Sequence, residues 1–233
     1  MDIVPIRRYM WLRILQALIK REFFSFTCRP DDLFSWYLDA CDETIKKSGE
    51  KSPDGKVILV GHSAGGWLGR ALLAERNYTS NSVSGLITLG TPHYPPIDLR
   101  KDVTRGCLDH VSKNYDANYL ISKDYFVMTV GSSCVEAIAD AESGTREKFA
   151  CTSYDAVIGG TPPEDTLVQG DGVVPLSFMH LENSKQITFD DCFHSIDAPN
   201  DWYGGENIVD RWLKEAEMLV DSNSNTNVNT KVE

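Results

Sequence analysis

Val57-Ile58-Leu59-Val60-Gly61-His62-Ser63-Ala64-Gly65-Gly66 is the stretch that decides the fold of this 233-residue chain. Four branched or aliphatic residues suit a buried parallel strand, and the run ends in Gly-x-Ser-x-Gly. Trp67, Leu68, Ala71, Leu72 and Leu73 then recur at helical spacing. A strand that turns sharply into a helix around a serine is a nucleophile elbow. It holds Ser63 in a strained conformation with Oγ exposed above the sheet edge, and Gly61 and Gly65 leave room for close backbone approach.

A serine hydroxyl is a weak nucleophile, so the reading requires an acid and a base further on, in the order Ser, Asp, His. Gly170-Asp171-Gly172-Val173-Val174-Pro175 places a carboxylate between two glycines. Gln186 to Phe189 alternates as a strand, and the loop Asp190-Asp191-Cys192-Phe193-His194-Ser195 leaves it with one histidine. His194 is expected to take the Ser63 proton and return it to the leaving group, while Asp171 holds the imidazole tautomer. Asp190, Asp191 and Asp197 are rival acids, so close to His194 that capping or solvating its loop is their expected role.

The elbow, the Leu89-Gly90-Thr91-Pro92-His93 after the next strand, and the Gly-Asp-Gly-Val-Val-Pro at 170–175 together resemble α/β-hydrolases of the lipase and esterase type. The nearest resemblance is to plant lipase-like proteins related to the inositol-deacylase that acts on glycosylphosphatidylinositol anchors. It covers the chain from about Val4 to about Val220. It implies Ser63, Asp171 and His194 as nucleophile, acid and base. The backbone N–H of Ala64 is the corresponding oxyanion donor. The fold it implies is a mostly parallel sheet flanked by helices. The resemblance also implies a second oxyanion donor from a loop after an early strand. Nothing marks such a loop upstream of the elbow, where the readable features are a strand end at Ile3 to Ile6, a basic amphipathic stretch and a helix from about Pro30 to Lys47. The expectation is therefore a sheet lacking the family's N-terminal strands. The expected reaction is hydrolysis of an acyl or lipid ester without a cofactor. A non-catalytic or truncated paralogue that binds lipid or protein, and an acyltransferase, are the alternatives.

A hydrophobic fraction of 42% and a charged fraction of 24% indicate one globular domain, taken as residues 1–220. The net charge of −11 argues against nucleic acid, whose phosphates require a concentrated basic surface. Six cysteines show no Cys-x-x-Cys spacing and follow no cleavable leader, so a reducing, intracellular compartment is expected: the cytoplasm or, given an N-terminal extension, an organelle such as the chloroplast. Cys134 and Cys151 flank an insertion and could pair under oxidising conditions. Cys107-x-x-His110 and Cys192-x-His194 lack a four-ligand set, so no metal is expected. Asn77-Tyr78-Thr79 fits a glycosylation sequon that matters only on secretion.

Further strands are expected at Ser84 to Leu89 and Tyr125 to Val130, and a closing amphipathic helix from about Glu206 that buries Ile208, Val209, Trp212, Leu213, Ala216 and Leu219. Residues 94–123 are expected to form a helical cap over the pocket, with His93 packed in its turn, and 132–169 a surface insertion. The polar run 221–233 is expected to be a disordered tail. Near the start, Trp11, Leu12, Ile14, Leu15, Leu18 and Ile19 fall on one helical face beside Arg7, Arg8, Arg13, Lys20 and Arg21. Such a stretch packs on a sheet or lies on an anionic membrane, and residues 7–21 are the candidate peripheral contact.

Overall fold

The computed structural model describes residues 1–160, 167–195 and 197–229, without the side chains of Arg8 and 221–229. Its centre is a four-stranded, wholly parallel sheet in the order β1 (Val57–His62), β2 (Val83–Leu89), β3 (Phe126–Ser132) and β6 (Lys185–Phe189). A separate antiparallel pair joins β4 (Val135–Glu136) to β5 (Gln169–Gly170).

The alternation of side chains along a strand builds a core on each face. Leu86 and Val127 point to one face, where they meet Leu38, Cys41 and Ile45 of α2 (Pro30–Gly49) and Leu72 and Leu73 of α3 (Ala64–Glu75). Ile87 and Met128 point to the other and meet Trp212 and Ala216 of α7 (Val209–Asn229). β2 and β3 have neighbours on both edges and helices on both faces, and their apolar residues are buried throughout.

β1 departs from the expectation of a buried strand. Its only partner is β2, and Ile58 and Val60 are 39% and 41% exposed. No strand precedes it among the described residues, and Ile3 to Ile6, expected as a strand end, has no ladder partner and turns back on itself through an Ile6 N–H to Val4 O bond of 2.8 Å. Its open edge borders a hollow of about 530 Å³ lined by Val4, Tyr37, Cys41 and Ile45. A second hollow, on the α7 side, is lined by Trp212, Leu213 and Ala216. Leu213, expected inside, is exposed there.

Residues 94–123 fold into a single 3-10 turn, α4 (Cys107–Asn114) and α5 (Ala117–Ile121). Cys107, Leu108 and Val111 pack with Phe34 and Trp67, and Leu120 joins the α2–α3 face of the sheet. The insertion 132–169 contributes α6 (Arg146–Ile158), and its Gly-Thr-Pro-Pro turn lies largely outside the described residues. α7 runs on to Asn229 across most of the polar run expected as a disordered tail; once a helix is nucleated, each added residue gains one backbone bond. Residues 230–233 lie outside the described residues.

Candidate active site

Ser63 sits between β1 and α3 with φ 53° and ψ −128°, a conformation strained for any residue with a Cβ. Its backbone is held from three sides. The Ser63 N–H donates to Leu89 O at 2.9 Å, while its carbonyl accepts from Gly66 N at 3.1 Å and from Thr91 Oγ1 at 2.8 Å. The glycines of the motif have steric reasons. A Cβ on Gly61 would lie 2.5 Å from the Gly65 carbonyl carbon and oxygen, and one on Gly66 would lie 2.0 Å from Thr91 Oγ1. Ser63 occupies the N-cap position of α3 but makes no side-chain capping bond, so Oγ is available elsewhere.

Oγ points to His194, at 3.1 Å from Nε2. His194 Nδ1 lies 2.7 Å from Asp171 Oδ2. Sequence distances of 131 and 23 residues are thus closed into one hydrogen-bonded line. Asp171 is 1% exposed, and a carboxylate so deeply buried needs donors on both oxygens. Oδ1 accepts the N–H groups of Val173 and Val174 at 3.0 and 2.8 Å, and Oδ2 accepts Tyr203 Oη–H at 3.0 Å besides His194. The rival carboxylates lie elsewhere. Asp191 pairs with Arg211 at 2.7 Å, Asp197 accepts from Ser195 at 3.2 Å, and Asp190 is exposed.

Two supports of this line carry no signal in the sequence. Tyr203, from the loop before α7, is fully buried, and its hydroxyl is raised well above its ordinary pKa by burial and by the Asp171 charge, which keeps it a donor. His62 Nε2–H donates to the His194 carbonyl at 2.8 Å, and the two ring centroids lie 4.8 Å apart with the planes tilted by 41°. Burial, and then the proximity of His194, lower the His62 pKa to about 4, so it is neutral at pH 7. A second network stands behind Thr91. Buried Arg70 donates to the carbonyls of Tyr115, His93 and Val111. His93 bridges Arg70 to Thr88 at 3.3 and 3.0 Å and is held neutral by complete burial and by the Arg70 charge. His93 thus anchors the turn that carries Thr91, away from the Ser63–His194 line.

Ala64 opens α3, so its N–H is one of the amides that a helix start leaves without an intrahelical acceptor, at the positive end of the dipole. A cleft of about 440 Å³ lies against His194 and Asp171, between α6 and the segments 171–173, 193–195 and 197–198. Phe149, Val173, Phe193 and Ala198 give it apolar walls, and the Arg146 guanidinium lies 3.9 Å over the Phe193 ring at its rim. Among the described residues no group of His, Cys, Asp or Glu is arranged to hold a metal ion. All six cysteines are free thiols, Cys134 and Cys151 included; the Cys134 thiol donates to Cys192 O. Among the described residues no helix is long and apolar enough to cross a membrane.

The family model of the PGAP1-like alpha/beta domain matches residues 32–168, a span that contains the elbow and stops short of Asp171 and His194. A GPI inositol-deacylase of Coccidioides immitis is 27% identical over 165 residues, which is 70% of this chain and 12% of that protein. GPI inositol-deacylase A of Yarrowia lipolytica is 23% identical over 143 residues, 60% of this chain and 12% of its own length. The rat GPI inositol-deacylase is 35% identical over 63 residues, 26% of this chain and 7% of its own. The chain therefore spans only about an eighth of the length of the Coccidioides and Yarrowia relatives. These relatives are fungal and animal, and the plant side of the resemblance has no counterpart among them. No solved structure matches the chain.

Proposed function

We propose, from the premise that the chain belongs to the PGAP1-like alpha/beta domain family, that it is a serine hydrolase of carboxylic esters. The observation that carries this reading is the unbroken line from Ser63 Oγ through His194 to a four-donor Asp171. In the proposed cycle Ser63 Oγ attacks the acyl carbon as its proton passes to His194 Nε2. The carbonyl electron pair becomes an oxyanion that the Ala64 N–H meets at the start of α3. When the tetrahedral adduct collapses, the C–O bond to the alcohol breaks, and the alcohol leaves with the proton from Nε2. Water then gives a proton to Nε2 and attacks the acyl-enzyme; collapse releases the acid and returns the proton to Oγ. Asp171 stays ionised and stabilises the imidazolium at each stage. An alcohol in place of water would give acyl transfer through the same intermediate.

The relatives' printed name, GPI inositol-deacylase, suggests an acyl ester carried by the inositol of a lipid anchor as the substrate. The apolar walls of the cleft and the cationic rim at Arg146 support an acyl group joined to an anionic head. A fluorophosphonate probe with a p-nitrophenyl ester assay tests the chemistry. Labelling at Ser63 and ester turnover, both lost in Ser63→Ala and His194→Ala, are expected. A folded chain that takes no label would refute the hydrolase reading and leave a lipid- or protein-binding member of the family.

A further inference from the structure

The N-terminal helix, Arg8–Ile19, is a 3-10 helix, and this changes which of its residues share a face. With three residues per turn, side chains at i, i+3 and i+6 stack in straight rows, whereas an α-helix would wind them round. The stripe expected from α-helical spacing therefore divides, with Trp11 and Ile14 in one row, Leu12, Leu15 and Leu18 in another, and Ile19 in the row of Arg13. Trp11, Ile14 and Ala17 form the inner row. Trp11 meets the rings of Phe34 and Trp36 edge-on at 6.1 and 5.5 Å, Ala17 is buried, and Ile14 packs against the same cluster. Tyr9, Leu12, Leu15 and Leu18 form the next row, and they are 44% to 66% exposed. Ile19, in the row of Arg13, and Phe24, beyond the helix, are exposed as well.

Charge identifies what fits there. Between residues 7 and 29 the chain has six basic residues and one acid, Glu22, in a molecule whose net charge is −11. Arg7, Arg13, Arg21 and Arg29 are exposed; Lys20 is tied to Asp32 at 2.6 Å. A long-range field with a cationic N-terminal end and an acidic remainder turns that end toward a negative surface. Apolar side chains flanked by arginine are the pattern that settles at the boundary between headgroups and acyl chains, the cations among the phosphates. A second copy suits the face poorly, because a two-fold contact would bring Arg13 and Arg21 against their own counterparts.

We infer that the row Tyr9, Leu12, Leu15 and Leu18, with Arg7, Arg13 and Arg21, docks the protein on an anionic bilayer surface. The inner row of the same helix is joined to the elbow by rings in series, since Phe34 touches Trp11 on one side and Trp67 of α3, at 5.4 Å, on the other. Membrane docking would thus hold the helix that begins after Ser63 close to the lipid. The inference concerns binding and does not depend on Ser63 chemistry.

Co-sedimentation of the purified chain with phosphatidylcholine vesicles, with and without phosphatidylserine, tests it without turnover. The chain is expected to pellet with the anionic vesicles and to be released by salt, because screening removes the attraction of exposed charges. Leu12→Ser/Leu15→Ser and Arg13→Glu/Arg21→Glu change exposed side chains, and circular dichroism checks that each folds. Each is expected to weaken binding by about tenfold or more, the scale set by losing two such contacts. Absence of binding to anionic vesicles, equal binding to neutral ones, or variants that bind as well as the parent would each overturn the inference. So would a dimer in gel filtration that Leu12→Ser/Leu15→Ser dissociates, which would assign the row to a second copy.

Discussion

Substitution of Gly66 by alanine is expected to destabilise the protein although it improves helix propensity. Gly66 lies in the first turn of α3, where alanine is favoured over glycine by about 1 kcal/mol. The added Cβ would lie 2.0 Å from Thr91 Oγ1 and 2.8 Å from its Cγ2. Thr91 is fully buried, so its side chain has no solvent to turn into. Overpacking of this kind costs about 1–3 kcal/mol. Displacing Oγ1 also breaks its 2.8 Å bond to Ser63 O, a further loss of about 0.5–1.5 kcal/mol. After the propensity gain the net loss is about 0.5–3.5 kcal/mol, and for a chain of this size that lowers Tm by roughly 1–14 °C. The cause is tested by a cycle of Gly66→Ala, Thr91→Ala and the double variant in urea unfolding. Thr91→Ala removes both atoms nearest the new methyl group and leaves Cβ at 2.9 Å. The double variant should therefore be more stable than the summed single losses predict, by about 1 kcal/mol or more. Additivity within about 0.5 kcal/mol would mean that the contact with Thr91 is not the cause of the loss. Fluorophosphonate labelling should also slow in Gly66→Ala, because Ser63 would lose the bond that fixes its carbonyl.

Two other perturbations probe the supports of His194 and Asp171. Burial holds His62 near pKa 4 while the unfolded value is about 6.5, so the unfolded chain binds the extra proton between those values. The His62 contribution is fully present above about pH 6.5 and falls away as the pH drops toward 4, by up to about 3 kcal/mol. Urea midpoints at pH 7 and pH 4.5 should therefore differ more in the parent than in His62→Gln; identical differences would remove His62 as the cause. Tyr203→Phe deletes one of the four donors to Asp171 and should cost about 1.5–3 kcal/mol, with slower labelling of Ser63. If Tyr203→Phe neither loses stability nor labels more slowly, the hydroxyl does not support the carboxylate.

The strand-and-helix alternation was legible because apolar runs and helical spacing are local properties, as was the order Ser63, Asp171, His194. β2, β3, β6 and α2 fall within about two residues of the expected boundaries. The partial exposure of β1 was not legible, because Val57 to Val60 has the composition of a central strand and only its neighbours decide how much is covered. Nor was Tyr203, which stands in an unremarkable Trp-Tyr-Gly-Gly loop and gains its role from a fold that brings it to Asp171 across 32 residues. The split of the N-terminal apolar residues into separate rows escaped a reading built on 3.6 residues per turn. Composition does not announce a 3-10 helix of twelve residues, since such runs are uncommon.

The edge position of β1 bears on how Ser63 is held. Val57 and Ser63 both direct their N–H groups to β2, so the alternation of a strand turns the amides of Ile58, Val60 and His62 outward. Among the described residues the strand that delivers Ser63 is thus fastened along one side only. Local opening is least costly where backbone bonds are fewest, which places Ser63 in a segment that opens more readily than β2 or β3. The resistance to that opening is concentrated in the ladder to β2 and in the clasp of Leu89 and Thr91 on the Ser63 backbone.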